Sequence, residues 1–343
     1  SNEAGKIQKQ NMFSIFAEDN WMILDNFTLT AGVRYDEHDV FGSQVSPRLY
    51  GVYNFDEEWT IKGGVSTGYK TPQTTDLYDG ITGFGGQGTS PFAGNPELEP
   101  ETSVNSEVAL YWNSLSGDHN INITYYNTQF EDKIARGDTI FSCEQTNDVR
   151  PCVNLGQYDQ LGYQSYSQKI NIDEVELQGI EVAGKYTLTN TVSLNGNYTW
   201  TDSEQQGGTE DGLPLTNTAE NMANLSLNWK ATDFMDVFLQ GVYRSDRYRG
   251  WDSVHDQALY YKDYSLLNLG AQFYVNENVQ INARVNNLLD KDFTSYSTSY
   301  NDLNGDGEFE YASGRGAVSE VLFTDDYNVK DKGRNFWVGI TAY

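Results

Sequence analysis

The chain lacks any apolar run approaching the roughly 18 residues that a membrane-spanning helix needs, which excludes a helical membrane protein. It is also short of cations, with 22 Lys and Arg against 49 Asp and Glu, for a net charge of −27. Neutralising phosphates takes clustered Lys and Arg, so nucleic acid is excluded as a partner. The acidic surplus keeps exposed loops soluble and mutually repelling. Proline (7), histidine (3) and cysteine (2) are scarce. The start, Ser1-Asn2-Glu3-Ala4-Gly5, has neither the basic stretch nor the apolar core of a signal peptide. A secreted product whose chain begins mid-protein would look the same.

The two cysteines, Cys143 and Cys152, bracket the polar segment Glu-Gln-Thr-Asn-Asp-Val-Arg-Pro. Two cysteines closing a short polar loop read as a disulfide made in an oxidising compartment such as the periplasm. The alternatives are two unrelated thiols, or a metal pair, which would lack a neighbouring His.

What the chain does have is 24 Tyr, 16 Phe, 7 Trp and 32 Gly, a composition suited to many long strands and not to a helical core. Several segments alternate in polarity with period two. Phe27, Leu29, Ala31, Val33 and Tyr35 oppose Thr28, Thr30, Gly32, Arg34 and Asp36; Val279, Ile281, Ala283 and Val285 oppose Gln280, Asn282, Arg284 and Asn286. Residues 191–201, 223–230 and 267–275 repeat the pattern. Successive side chains of a strand face opposite sides, so each segment has a dry and a wet surface. Strands of a soluble sandwich run about five or six residues; these run to about ten, enough to cross a bilayer at a tilt.

Short turns fall near Asp25-Asn26, Asp56–Glu58, Ser116–Asp118, Thr189-Asn190, Thr232-Asp233 and Asn276–Asn278. They alternate with long connections at about 71–102, 136–170, 203–219, 247–261 and 291–332, broken once by the short segment Asp39–Gln44. Such alternation marks an outer-membrane barrel, with tight periplasmic turns and long extracellular loops. Tyr35, Tyr53, Trp59, Tyr69, Tyr198, Trp200, Trp229 and Tyr274 lie near strand ends, where interfacial girdles form. The expected fold is therefore all-β, an antiparallel transmembrane β-barrel, with a soluble sandwich or propeller as the alternative. About thirteen strands are counted. An odd antiparallel set would leave unpaired edges in lipid, so the whole of 1–343 is expected to be part of a longer barrel.

A set of landmarks runs in order along nearly the whole chain: Phe16-Ala-Glu-Asp-Asn-Trp21, Ala31-Gly-Val-Arg-Tyr-Asp36, Ser46-Pro-Arg48, Gly68-Tyr-Lys-Thr-Pro72, Gly94-Asn-Pro-Glu-Leu-Glu-Pro-Glu101, Tyr126-Asn-Thr-Gln-Phe130, Gly179-Ile-Glu181, Val285-Asn-Asn-Leu-Leu-Asp-Lys-Asp292 and Gly333-Arg-Asn-Phe-Trp337 to Tyr343. By these the chain resembles the C-terminal part of a TonB-dependent outer-membrane receptor. The resemblance implies a 22-stranded barrel whose N-terminal plug, TonB-engaging segment and first strands are not in this sequence. The run from Gly68 through Gly83-Phe-Gly-Gly-Gln-Gly88 to Gly94-Asn-Pro96 resembles receptors for ferric catecholate siderophores of the enterobactin type. The expected partners are then a ferric siderophore, TonB, and outer-membrane lipid and lipopolysaccharide, with the receptor monomeric.

Ferric catecholates are aromatic trianions, so their site calls for Arg or Lys beside aromatic faces. Arg244, Arg247 and Arg249, interleaved with Tyr248 and Trp251, are the outstanding match. Arg244 is expected to share the lumenal face with Gln240. The alternative is that these arginines pair with local Asp or grip lipopolysaccharide phosphates. Tyr69, Lys70 and Tyr78 form a second candidate set, and Arg150 a third. In the last long connection Asp302, Asn304 and Asp306, followed by Gly307, match the first half of a calcium loop. Ser313 stands where a bidentate Glu belongs, and Glu308 and Glu310 are the candidate substitutes; the alternative is an acidic turn. No other cofactor and no enzymatic constellation is expected. Of the histidines His38, His119 and His255, only the last falls in a long connection, which disfavours haem. Haem, cobalamin, a glycan or another metal chelate remain rival cargoes on the same fold, and a passive porin or adhesin barrel is the rival class.

Overall fold

The computed structural model describes residues 9–85, 90–147, 152–153, 166–207, 210–252, 257–293, 297–298, 321–322, 326–329 and 333–342. Among them, thirteen long strands follow one another in sequence order, each hydrogen-bonded to the next. The chain divides into two compact units: Ser1–Leu115, Asn122–Ile180 and Thr201–Leu215 make the first, and Ser116–Ile121, Glu181–Trp200 and Thr216–Tyr343 the second.

In the first unit lie β1 (Met12–Leu24), β2 (Phe27–His38), β3 (Gly42–Asn54), β4 (Trp59–Lys70) and β5 (Glu101–Asn113). Most of β6 (Asn120–Ser142) and the first part of β7 (Tyr166–Thr189) belong to it too. Cross-strand partners share a face, and the register assembles one apolar face: Tyr35 opposes Val45, Leu49 opposes Val65, and Ile61 opposes Leu110. Val45, Leu49 and Val65 are all exposed. The other face carries Arg34, Asp36, Arg48 and Lys62. Arg34 donates to both oxygens of Asp36, and Ser14 donates to the same carboxylate.

The second unit takes the end of β7, most of β8 (Val192–Gln206), β9 (Asn221–Thr232), β10 (Met235–Arg244), β11 (Tyr264–Asn276), β12 (Val279–Asn286) and β13 (Asn335–Ala342). One row across its strands reads Leu227, Leu239, Leu269, Val285, Phe336. Phe336 is 74% exposed and Ile340 72%. A water-soluble protein would cover such rows; hydrocarbon covers them here. The opposite face is an amide wall: Asn224 donates to Asn197, Gln272 to Gln280, and both Asn268 and Arg284 to Gln240.

The connections keep the expected rhythm. Turns of two to six residues (25–26, 55–58, 114–119, 190–191, 233–234 and 277–278) alternate with connections at 71–100, 143–165, 207–220, 245–263 and 287–334. The connection at 39–41 remains the short exception. The sequence placed a connection at 136–170, but β6 runs on to Ser142 and β7 begins at Tyr166. A strand that leaves lipid needs no alternation to stay paired, so the polar run there hid its continuation.

Candidate functional site

At the long-connection end of the first unit a small separate core forms from Ile81, Ala93, Ile140, Val153 and Tyr166. Cys143 and Cys152 are joined in a disulfide beside it, with Cα atoms 4.8 Å apart. The 71–100 connection is stapled to β7. Gln168 Nε2 donates to the Gly94 carbonyl at 2.8 Å, Asn95 Nδ2 to the Lys169 carbonyl, and Lys169 pairs with Asp76 at 2.8 Å. The Asn171 side chain holds the Glu99 backbone at both ends, its Oδ1 accepting from the Glu99 amide and its Nδ2 donating to the Glu99 carbonyl. Gly94 sits where a Cβ would lie 2.1 Å from the Tyr78 carbonyl oxygen. Leu98 is buried, and Glu101 accepts from the Ile134 amide while pairing with Lys70. The landmark 94–101 is thus a structural staple. Gly94→Ala is expected to force this connection off β7, raising proteolytic cleavage within 71–100 in the folded full-length receptor. Unchanged cleavage would contradict the staple.

Lys70 and Tyr69, adjacent on a strand, point to opposite faces of β4. The ammonium of Lys70 is engaged by Glu101, and Tyr78 packs at Gly94. Tyr69 and Lys70 therefore do not present one common face. Arg150 and the sequence from Asp302 to Glu310, with Asn304, Asp306 and Glu308, lie outside the described residues.

The second unit brings cations and rings together. Residues Arg247–Asp252 pair with Gln257–Tyr261 as a hairpin, whose register slips between Tyr248 and Gly250. Such a bulge re-aims a side chain, here that of Arg249, and Gly250 supplies the φ of +148° that the kink requires. Arg249 is exposed and lies 5.4 Å from the centre of the Tyr261 ring; Arg247 takes up 5.3 Å on the same ring. Trp251 is exposed beside Ala258. Arg244 ends β10 on the face of Gln240, across from Tyr264. Arg247 and Tyr248, by contrast, are only 2% and 1% exposed. Arg247 was expected to face a ligand; instead it donates to Asn217 Oδ1 at 2.9 Å and to the Tyr327 carbonyl, and stacks on Tyr264.

From Tyr264 the contacts continue: Phe293 lies 5.5 Å away edge-on, Tyr327 5.3 Å beyond, and Lys291 sits 5.1 Å over the Tyr327 ring with Lys262 at 5.9 Å. Lys291 is aimed by Asn287, whose side chain clasps the Lys291 backbone at both N–H and C=O. Lys262 bonds Asp326 at 2.8 Å. That hydrogen bond and charge hold the ammonium's pKa above the ordinary lysine value. A raised folded pKa means the contribution is present at neutral pH and is lost only as alkaline pH passes that value. Among the described residues, neither Arg249 nor Lys291 makes an ion pair. Lys262, Lys291, Tyr261 and Tyr327 had no signal of their own in the sequence; the two lysines stand apart, among acids.

The family profile described as "TonB dependent receptor-like, beta-barrel" fits residues 2–288. The chain belongs to that family. Its members are transport receptors, not enzymes, and lie in the outer membrane of Gram-negative bacteria. The short turns are accordingly periplasmic and the cation–ring cluster extracellular. An iron-regulated outer membrane virulence protein of Vibrio cholerae is 30% identical over 325 residues, covering 95% of this chain and 43% of that protein. The ferrienterobactin receptor of Escherichia coli K12 is 26% identical over 355 residues, covering 98% of this chain and 43% of that receptor. A mutant of the Pseudomonas aeruginosa ferric enterobactin receptor, solved in complex with enterobactin, superposes with a TM-score of 0.71 at 22% identity. That match covers 98% of this chain and 46% of the other and shows the shared fold. The chain thus spans less than half the length of the relatives it matches.

Proposed function

We propose that this chain is the C-terminal portion of the barrel of an outer-membrane receptor that takes up a ferric siderophore of the catecholate type, energised through TonB. The observation that carries the reading is the extracellular cluster of Arg249, Lys262 and Lys291 on Tyr261 and Tyr327, in a chain otherwise dominated by acids. Flat rings and guanidinium planes complement an aromatic trianion; no protein ligand to the iron is called for, because the siderophore brings it chelated. The likeness to the ferrienterobactin receptor supports the same cargo class. The full receptor would add the plug and the TonB-engaging segment, with lipopolysaccharide around a monomeric barrel. Transport of iron-55 by cells whose sole such receptor is the full-length protein tests this. Uptake from a ferric catecholate that stops when TonB is deleted is expected. Uptake only from haem, cobalamin or a hydroxamate would replace the cargo, and uptake independent of TonB would indicate a passive pore.

Residues Asp302, Asn304, Asp306, Glu308 and Glu310 are proposed to bind calcium weakly, on their spacing in the sequence alone. Calorimetry of the full-length receptor is expected to show calcium heat that Asp302→Ala abolishes; no heat in the parent protein would remove the site.

A further inference from the structure

The sequence offered Arg247 as one of three equivalent arginines, and the structure separates it from the others. Its side chain is 2% exposed, and its partners come from far along the chain: Asn217, 30 residues before it, and Tyr327, 80 after. Around it three extracellular segments are bonded to one another. Residues 217–221 bond to 245–248: the Asn217 amide donates to the Tyr248 carbonyl at 2.8 Å, the Ser245 amide to the Asn221 carbonyl at 2.9 Å, and Asn221's amide returns to Ser245 Oγ at 3.0 Å. Ala219 forms a strand bridge with Arg247. Residues 326–328 close on both: the Lys262 amide donates to the Asp326 carbonyl at 2.6 Å, its ammonium pairs with the Asp326 carboxylate, and Asn328 Nδ2 reaches Asn217 Oδ1 at 3.4 Å. Asn217 and Asn328 hold φ values of +61° and +47°, a backbone region asparagine tolerates better than most residues, so both segments are turned to make these bonds.

We propose that Arg247 is a positioning residue, clasping residues 217–221, 245–252, 257–262 and 326–328 together so that Arg249, Lys262 and Lys291 are presented as a single cationic surface. The clasp rests on the contacts above; its bearing on siderophore capture rests on the function proposed for this cluster. A guanidinium suits the task because one planar group serves two acceptors in different segments and two rings, Tyr261 and Tyr264, at once. Lysine has the charge without the fork. Arg247 links the Tyr261 ring to Tyr264, and the aromatic contacts from Tyr264 through Phe293 to Tyr327 then join the cation set by the bulge, Arg249, to the one set by Asn287, Lys291. Residues 217–221 and 326–328 carry no basic or aromatic side chain that the sequence would have assigned to a ligand, apart from Tyr327. Their part is to fix the geometry of those that do.

The test is hydrogen–deuterium exchange of the full-length receptor in detergent, read at the Asn217 and Lys262 amides, which donate to Tyr248 and Asp326. Losing hydrogen bonds made by a charged group is expected to raise exchange at both by about tenfold or more in Arg247→Ala. Arg247→Lys should fall between, and Arg249→Ala should leave both amides at wild-type rates. If Arg247→Ala leaves exchange at Lys262 unchanged, there is no clasp, whatever happens to binding. Should Arg247→Ala fail to fold, Asp326→Asn must raise exchange at Asn217, and no change there overturns the proposal. Binding of a ferric catecholate is measured on the same samples. Raised exchange in Arg247→Ala together with unaltered binding by Arg249→Ala would leave the clasp standing and remove the ligand site.

Discussion

Leu239→Arg is expected to destabilise the membrane-inserted receptor by about 2–4 kcal/mol, the cost of a cation on the lipid face near the bilayer midplane. Leu239 lies within the row Leu227, Leu239, Leu269, Val285, Phe336, midway along β10. Its neighbours across the strands, Leu227 and Leu269, are both apolar. The control is Ser226→Arg, on the opposite face and directly across from Gln240. That position looks onto the amide wall, so the substitution should cost far less. Urea titration of the full-length receptor refolded in phospholipid vesicles reads both. Equal effects of the two substitutions would contradict the assignment of faces, and with it the membrane-spanning reading of the second unit.

Arg249→Ala is expected to weaken binding of a ferric catecholate by about tenfold to a hundredfold, the range for removing one charge-assisted hydrogen bond from a ligand site. Arg249 is the member of the cluster best placed to meet a ligand: exposed, without an ion pair among the described residues, and turned over Tyr261 by the bulge at Gly250. Arg249→Lys should recover part of the affinity, since the charge returns without the flat stacking face. Trp251 on the same hairpin supplies the fluorescence to follow it. An Arg249→Ala receptor that binds as tightly as the parent would move the site elsewhere on the barrel.

The strands were legible because lipid imposes a rule on each of them separately: Phe27 to Tyr35 and Val279 to Val285 alternate whatever their neighbours do. The turns were legible for the same reason, since Asp25-Asn26 and Glu277-Asn278 are local signals. Where the chain leaves hydrocarbon the rule lapses, and β6 and β7 ran on through residues read as a connection. The candidate site was legible only as composition. Arg247 and Arg249 are two residues apart and alike in sequence, yet one is buried and the other exposed, because the difference is made by Asn217 and Tyr327. Lys262 and Lys291 were missed outright; what makes them notable is Tyr327, which lies 65 and 36 positions further along. The landmark 94–101 identified the family but carries packing, as the absence of room at Gly94 explains.

Tryptophan-fluorescence titration of the full-length receptor in detergent, with a ferric catecholate, a ferric hydroxamate and haem in parallel, tests the central claim most directly. Saturable quenching by the catecholate alone is the predicted result, and its affinity should fall on Arg249→Ala. Quenching by haem or the hydroxamate with none by the catecholate would contradict the cargo assigned here.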